Sequence, residues 1–260
     1  TTEIHYGLAV DLGSTTVVAR FFDCNTGNCL AEDSAYNRQI AFGTDILTRI
    51  FYCKDQPEKL EEMRGAALES ILEVLKKLEK KTGIQAEQCI QMVVAGNTTM
   101  IHFFLGLDAF CVFQTPYAVQ VDRPGFLLAA ELGIPVKGYV YCYPGKSNYL
   151  GGDIISGMVA TELYKKDGIS VFFDIGTNGE LVVGNREFLL CGAGAAGPAL
   201  EGGVVRTGMR AAEGAVESVR LTEKGFELGV IGGGEARGIC GSGIIELLAE
   251  LFLAGWIDLR

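Results

Sequence analysis

The chain has 260 residues, of which 48% are hydrophobic and 21% are charged, and its formal net charge is −10. Such a composition is ordinary for a globular protein with a large core. The acidic charge argues against nucleic acid as a partner, because phosphate binding needs a basic surface. No apolar stretch reaches the roughly 20 residues of a spanning helix, so we expect no membrane partner. The length allows two modest domains or one bilobed domain.

The eight cysteines contain no Cys-x-x-Cys pair, so the sequence predicts neither a zinc site nor a ferredoxin-type cluster in this chain. Several cysteines, among them Cys142 and Cys191, lie in apolar segments. This pattern is typical of buried, reduced thiols. A reducing, cytoplasmic setting is therefore expected.

The first half of the chain alternates predicted strands with a long helix. Residues 4–11 and 17–24 are apolar and predict a pair of buried strands. Apolar residues recur at three- and four-residue steps over 57–82, which predicts a helix. Asp55 is its expected cap, and Pro57 suits the first turn.

Further strands and helices follow in alternation. A strand is predicted over 89–97, a helix over 98–105 and another strand over 138–144. A helix is predicted over 151–166. Residues 171–191 have the turn residues of a three-strand meander.

The remainder is rich in glycine up to residue 238, with one predicted hairpin, and then forms a glycine turn and an amphipathic helix. Strands precede helices in both halves of the chain, which is typical of an α/β protein. We therefore predict two lobes, 1–145 and 146–260.

Two strand ends share an Asp-x-Gly turn. Asp11 and Asp174 each end an apolar run, at the edge of an α/β sheet where ligands bind. The glycine lets the backbone approach a ligand closely, and the following N–H groups and hydroxyls suit an anion. A carboxylate repels phosphate, so the pattern favours Mg²⁺ between the two and predicts a nucleotide site. The alternative, a plain tight turn, is disfavoured by the duplication. The predicted phosphate contacts of the two turns are Gly13, Ser14, Thr15, Thr16, Gly176, Thr177 and Asn178.

Three other places could contribute to this site. Asn97 ends a strand and could orient water or phosphate, or cap the next helix. Asp153 could be a helix cap or a ligand of a magnesium-bound water. A glycine turn opens the last helix and could face an anion or a ribose, although a plain turn explains it equally well. Its candidate residues are Gly238, Gly241, Ser242 and Gly243. The predicted catalytic residues are Asp11, Asp174 and Asn97, and the predicted metal ligands are Asp11, Asp174 and Asp153.

The two turns resemble the phosphate loops of the acetate and sugar kinase, heat-shock chaperone and actin superfamily. That resemblance implies an actin-like ATPase fold, in which two ribonuclease H-like lobes hold ATP between them. A narrower series of motifs is similar to the ATP-binding domain of the reductive activators of corrinoid proteins. The motifs are YNRQIAFGTDILTRI, VVAGNTTMIHFFLG, LGGDIISG, DIGTNGELV, GAGAAGPALEGG and GICGSGIIELLAEL.

The narrower resemblance implies a function. In that family, ATP binding and hydrolysis accompany the return of a corrinoid protein from Co(II) to Co(I). Electrons pass through a ferredoxin-like domain with a two-iron, two-sulfur cluster, which precedes the ATP-binding domain. We expect that domain to be absent here, the second lobe to be incomplete, and the chain alone to bind ATP weakly or not at all. A corrinoid protein is the expected partner, and a homodimer stays open. The family usually has proline where this chain has Arg38.

Other functions stay open at this point. A small-molecule kinase of the same superfamily, acting on a sugar or an acid, would need a carboxylate base, for which Asp45 is the best candidate. An activator of 2-hydroxyacyl-CoA dehydratases would need a cysteine pair for a cluster, and the sequence shows no such pair. A fragment with an incomplete nucleotide site, serving only a structural role, is the remaining alternative.

Overall fold

A computed structural model describes residues 4–148, 150–176, 178–194 and 205–258. The chain divides into two compact units. The first takes the chain up to Phe172 together with Val183–Leu190, and the second takes Phe173–Val182 and the chain from Cys191 onwards. In the described ranges, no helix combines the length and the apolar character that crossing a membrane requires.

The first unit is built on a six-stranded sheet, whose strand order is β3-β2-β1-β4-β6-β5. The strands are β1 (Tyr6–Leu12), β2 (Thr16–Asp23), β3 (Cys29–Tyr36), β4 (Cys89–Gly96), β5 (Gly125–Leu128) and β6 (Tyr139–Cys142). β1 pairs antiparallel with β2 and parallel with β4, where Leu12 lies opposite Gly96. The carboxyl ends of β1 and β4 therefore meet at one edge of the sheet, as the predicted site requires.

The described residues of the first unit contain five α-helices. They are α1 (Ile46–Cys53), α2 (Pro57–Thr82), α3 (Thr98–Phe104), α4 (Ala129–Leu132) and α5 (Gly152–Thr161). α2 has the bounds that its apolar spacing predicts, and its buried face includes Met63, Ile71 and Leu78. Each such side chain contributes roughly 1.5–3 kcal/mol when fully buried. Gly83 ends the helix with φ 74°, a left-handed conformation that glycine adopts without strain.

Two predicted details of these helices are wrong. Asp55 does not cap α2. Its φ is 55°, whereas an N-cap residue is extended, and Gln56 holds the cap position without a side-chain bond. The helix predicted over 151–166 ends at Thr161, because Glu162 is left-handed (φ 51°) and a 3-10 turn follows at Leu163–Lys165.

A second sheet has three strands in the order β7-β8-β9. They are β7 (Ser170–Ile175), β8 (Gly179–Gly184) and β9 (Leu189–Gly194), which confirms the predicted meander. Cys142 is buried, as predicted, but Cys191 is exposed. That prediction is wrong because all six residues of β9 are exposed: an apolar strand sequence does not reveal which neighbours cover it.

The second unit contains the predicted hairpin and final helix. Its elements are β10 (Ala215–Thr222), β11 (Gly225–Val230), β12 (Gly238–Ile239) and α6 (Gly241–Leu253). β11 pairs with one side of β10, and the short β12 pairs with the start of the other side. Along the rest of that side, α6 supplies the acceptors. Glu246 accepts a hydrogen bond from the Val219 N–H (2.8 Å), and Glu250 accepts one from the Leu221 N–H (3.0 Å).

Candidate functional site

The first Asp-x-Gly turn joins β1 to β2. Asp11 lies near the end of β1 with an exposed side chain. A Cβ at Gly13 would lie 2.5 Å from the carbonyl oxygen of Thr16, so the turn is too tight for any residue but glycine. Ser14 and Thr15 form the tip, and Thr16 begins β2.

Asn97 lies at the neighbouring strand end, directly after β4. Its Oδ1 accepts a hydrogen bond from the Met100 N–H at 2.9 Å, so Asn97 is the N-cap of α3. The helix-cap alternative for this residue is therefore confirmed. Because β1 and β4 are parallel neighbours, Asn97 follows the strand end adjacent to the one that carries Asp11.

The start of α5 is packed into the same corner. A Cβ at Gly151 would lie 2.4 Å from the Asn97 Cα and 2.6 Å from the Gly96 carbonyl oxygen. Gly151 is the N-cap of α5, so the helix-cap alternative for Asp153 is wrong. Asp153 lies in the first turn, where its carboxylate accepts a hydrogen bond from the Ile154 N–H at 2.8 Å. The structure thus brings Asp11, Asn97 and Asp153 to one edge of the sheet.

A groove of about 380 Å³ opens on this part of the first unit. Its walls include Asp11, Ala95, Tyr143 and Ser156, which come from β1, β4, the segment after β6 and α5. Arg20 and Glu32 also contribute and form an ion pair. The groove combines apolar walls with a few charged groups, as small-molecule sites do.

The second Asp-x-Gly turn joins β7 to β8. Asp174 is half-buried in β7, and the Gly176 N–H donates a hydrogen bond to the Asn178 carbonyl oxygen at 2.9 Å. Thr177, another predicted phosphate contact, lies outside the described residues. This turn is therefore stabilised by a backbone hydrogen bond between its own residues.

Glu180, which is not among the predicted site residues, belongs to the same turn region. Its side chain is only 8% exposed. Burial raises its pKa, and the negative charge of Asp174 raises it further, whereas a hydrogen bond with Asn178 opposes the shift. Burial also raises the pKa of Asp174. Both pKa values are raised, so the ionised forms of these two carboxyl groups are disfavoured. A cation bound nearby would stabilise the ionised forms. Glu180 is the second residue of β8, a position where an apolar residue is expected. A glutamate at that position is the signal that could have revealed it.

The buried carboxyl group of Glu180 gives a testable pH dependence. Since its folded-state pKa lies above its unfolded value, stability falls as the pH rises from the ordinary range of a glutamate through the folded pKa. Glu180→Gln should therefore raise the free energy of unfolding at pH 7 by about 1 kcal/mol. The gain should shrink in acid. Urea unfolding at both pH values measures it, with the exposed Glu217→Gln as control. A gain that grows in acid would contradict the assignment.

The glycine turn before α6 is explained in part by packing. A Cβ at Gly238 would lie 2.5 Å from the Thr207 carbonyl oxygen, and one at Gly243 would lie 2.3 Å from that of Val216. Both glycines are therefore needed for close approach of backbone segments. Gly241 and Ser242 lie in the first turn of α6, where helix N–H groups lack intrahelical partners and suit an anion.

A second cavity, of about 540 Å³, lies along β10, β11 and α6. None of the predicted site residues lines it, and its walls contain Glu227, Glu246 and Glu250 against the single Arg220. This excess of negative charge is unfavourable for phosphate. Of the two cavities, the smaller one in the first unit is the one lined by a predicted site residue, Asp11.

Asp45, the candidate base of a kinase, is committed to helix capping. Its two carboxylate oxygens accept hydrogen bonds from the N–H and the hydroxyl of Thr48, at 2.8 and 2.7 Å. These bonds hold the pKa of Asp45 below its ordinary value. A carboxylate stabilised in this way is a weaker base, which counts against the kinase alternative.

Arg38, at the position where proline is usual, has a structural role. Its N–H donates a hydrogen bond to the Ser70 Oγ at 2.9 Å, a bond that proline could not make. Its guanidinium pairs with Glu69 and Glu73 on α2, at 2.9 and 3.0 Å. The segment that follows β3 is thus fastened to α2.

The donor atoms fit magnesium bound through water. Among the described residues, no group of three or more His, Cys, Asp and Glu side chains could hold a metal ion. Magnesium does not require one, because it keeps several waters and uses one or two carboxylates together with substrate phosphates. In the first unit, Asp11 and Asp153 carry carboxylate oxygens, which are hard ligands of the kind that this mode uses, and Asp174 carries the same group in the second unit.

Two family models cover almost the whole chain. Residues 6–166 match the RACo middle region, and residues 168–260 match the C-terminal domain of RACo, described as the ASKHA domain. ASKHA denotes the acetate and sugar kinase, heat-shock chaperone and actin superfamily. The predicted class, an α/β chain with the actin-like ATPase fold, is confirmed, and this fold is one that binds nucleotides.

Individual relatives agree with the family models. The corrinoid activation enzyme RamQ of Eubacterium limosum is 35% identical over 257 residues, which are 98% of this chain and 43% of that protein. The [Co(II) methylated amine-specific corrinoid protein] reductase of Methanosarcina barkeri is 22% identical over 97% of this chain and 52% of its own length.

A solved structure is similar throughout. The reductive activator for corrinoid, iron-sulfur protein superposes with a TM-score of 0.90 and 42% sequence identity, covering 99% of this chain and 42% of that one. The chain thus spans about half, or somewhat less, of the length of these relatives. With both of its units matched, the chain belongs to the family of reductive activators of corrinoid proteins, through its RACo middle region and its ASKHA domain.

Proposed function

We propose that this chain is the ATP-binding and ATP-hydrolysing part of an activator that helps return a corrinoid protein from Co(II) to Co(I). The observation that carries the proposal is the pair of Asp-x-Gly turns, each at the end of a strand, in a chain whose matched relatives are named as corrinoid activators. The one-electron step itself is assigned to a two-iron, two-sulfur ferredoxin-like domain outside these 260 residues.

The proposed nucleotide is ATP with Mg²⁺. Asp11 and Asp174 would hold the ion through water, with Asp153 as a further ligand, and the ion would neutralise charge on the phosphates. The phosphates would be held by backbone N–H groups and hydroxyls of the two turns, with Gly241 and Ser242 as additional contacts. Asn97 uses its Oδ1 for α3, so it would contribute its amide N–H group.

Water is the proposed acceptor of the γ-phosphoryl group. Asp45, the base that a kinase would use, already accepts hydrogen bonds from the N–H and the hydroxyl of Thr48. Binding and hydrolysis would change which conformation of the activator is favoured, and only a ligand with different affinities for two conformations can do this. The nucleotide would thereby regulate the fit to the corrinoid protein.

ATP turnover tests this proposal. Hydrolysis should be measured with and without a corrinoid protein in the Co(II) state, and in parallel with a panel of sugars and carboxylic acids. We expect the corrinoid protein to change the rate and the small molecules to leave it unchanged. Phosphorylation of a sugar or an acid would instead establish the kinase alternative and overturn the proposal.

A further inference from the structure

The amide of Asn37 is fully buried and contacts the first Asp-x-Gly turn. Its Nδ2 donates a hydrogen bond to the Gly13 carbonyl oxygen at 2.8 Å. Its backbone N–H donates one to the Thr15 carbonyl oxygen at 2.9 Å. We propose that Asn37 is a positioning residue that sets the conformation of this turn for phosphate. The inference rests on the proposed nucleotide function.

The two bonds control where the N–H groups of the turn point. The Gly13 carbonyl shares a planar peptide unit with the Ser14 N–H, and the Thr15 carbonyl shares one with the Thr16 N–H. In a trans peptide the C=O and N–H point in opposite directions. Because Asn37 binds both carbonyls, the N–H groups of Ser14 and Thr16 are directed away from it. Two N–H groups oriented by neighbouring peptides are what an anion-binding turn needs.

Asn37 is itself fixed independently of the turn. Its Oδ1 accepts a hydrogen bond from the Gln39 N–H at 3.0 Å. The Gln39 side chain, also fully buried, donates to the Met63 carbonyl oxygen in α2 at 2.9 Å. The Gln39 contacts anchor Asn37 on the longest helix described, whereas the bond from Arg38 to Ser70 holds the adjacent residue and not Asn37 itself. The turn is therefore held against a rigid element.

The buried amide of Asn37 also contacts α3, the helix that follows β4. The Asn37 Nδ2 and the Arg49 Nη1 each lie 3.7 Å from the Met100 Sδ in α3. α3 is the helix that Asn97 caps. Asn37 thus lies between the first turn and the helix that follows β4, and a change there should affect phosphate binding without removing any phosphate contact.

Two substitutions test the inference, with one matched control. Asn37→Asp keeps the acceptor for Gln39 but places an oxygen against the Gly13 carbonyl, and Asn37→Ala removes the amide. Ser70→Ala is the control, because it removes a buried bond from the same segment without touching the turn. Hydrogen exchange without nucleotide should become roughly tenfold faster at Ser14 and Thr16 in both Asn37 variants. Protection of α2 should stay as in the wild type, which shows that the variants are folded.

The nucleotide supplies a second measurement. In the full-length protein, calorimetry with Mg²⁺ and an ATP analogue should show that the affinity for the nucleotide is reduced roughly tenfold in the Asn37 variants. In turnover, KM should rise while kcat at saturation stays near the wild-type value. Ser70→Ala should leave all of these values unchanged.

The outcomes separate the two proposals. Equal exchange at the turn in the Asn37 variants and Ser70→Ala would overturn the positioning role, and so would unchanged affinity in the Asn37 variants while the wild type binds. A full-length wild-type protein that does not bind Mg²⁺-ATP would overturn the proposed function, and the nucleotide role of Asn37 with it.

Discussion

Asp174→Ala should weaken the binding of Mg²⁺-ATP by roughly tenfold to a hundredfold, the range seen when a metal's supporting ligand is lost. The side chain provides a charge that the phosphates require through the metal ion. Burial raises the pKa of Asp174, so its ionised form is costly in the free protein and a bound cation would repay that cost. Without Mg²⁺, the variant and the wild type should differ little.

Calorimetry with Mg²⁺ and an ATP analogue gives the measurement. Asp174→Asn is the matched variant: it keeps the shape, removes the charge, and should lose affinity without losing stability, because the buried charge is absent. Cys191→Ala, an exposed thiol in β9, should bind as the wild type does. Equal losses in Asp174→Ala and Cys191→Ala would refute the assignment of Asp174.

Gly151→Ala should lower the free energy of unfolding of the first unit by about 1–3 kcal/mol, the range for overpacking a well-packed site. The cost is steric. The φ of Gly151 is −83°, which alanine adopts readily, but its Cβ would meet backbone atoms of Gly96, Asn97 and Thr98 at 2.4 to 2.7 Å. Backbone atoms cannot rotate aside, so α5 must move away from the corner.

Urea unfolding monitors this change, and Gly168→Ala is the control. A Cβ at Gly168 meets no atom within 4 Å, so that variant should stay within about 0.5 kcal/mol of the wild type. Gly151→Ala should also weaken nucleotide binding, because Asp153 and Asn97 lie on the two sides of the displaced contact. If the two alanine variants unfold alike, the corner is more adaptable than the static contacts indicate.

Much of the secondary structure follows from local sequence. The helix over 57–82 is recoverable because its buried positions repeat with the helical period and glycine ends it. The strand ends that carry Asp11 and Asp174 are recoverable because an apolar run stops at a turn-forming triplet. Asp55 shows the limit: cap propensity cannot reveal that the residue is left-handed in the tight connection from α1.

The unpredicted parts of the candidate site depend on contacts between residues far apart in sequence. Asn37 bonds to Gly13, and no periodicity or motif links the two positions. Glu180 belongs to the turn region because β8 returns beside β7, and its burial depends on that pairing. The prediction that Cys191 is buried fails for a related reason, because the neighbours of a strand decide whether its residues are buried. Sequence identifies the turns, whereas tertiary packing decides what supports them.

The carboxylates of Glu246 and Glu250 have a consequence for self-association. A strand with an unpaired edge offers a row of N–H and C=O groups that can template pairing with another polypeptide. On β10 those N–H donors, at Val219 and Leu221, are already taken by α6. An incoming strand would have to displace both carboxylates and would meet their negative charge. The helix therefore protects this edge from the intermolecular β-pairing through which aggregates and domain swaps begin.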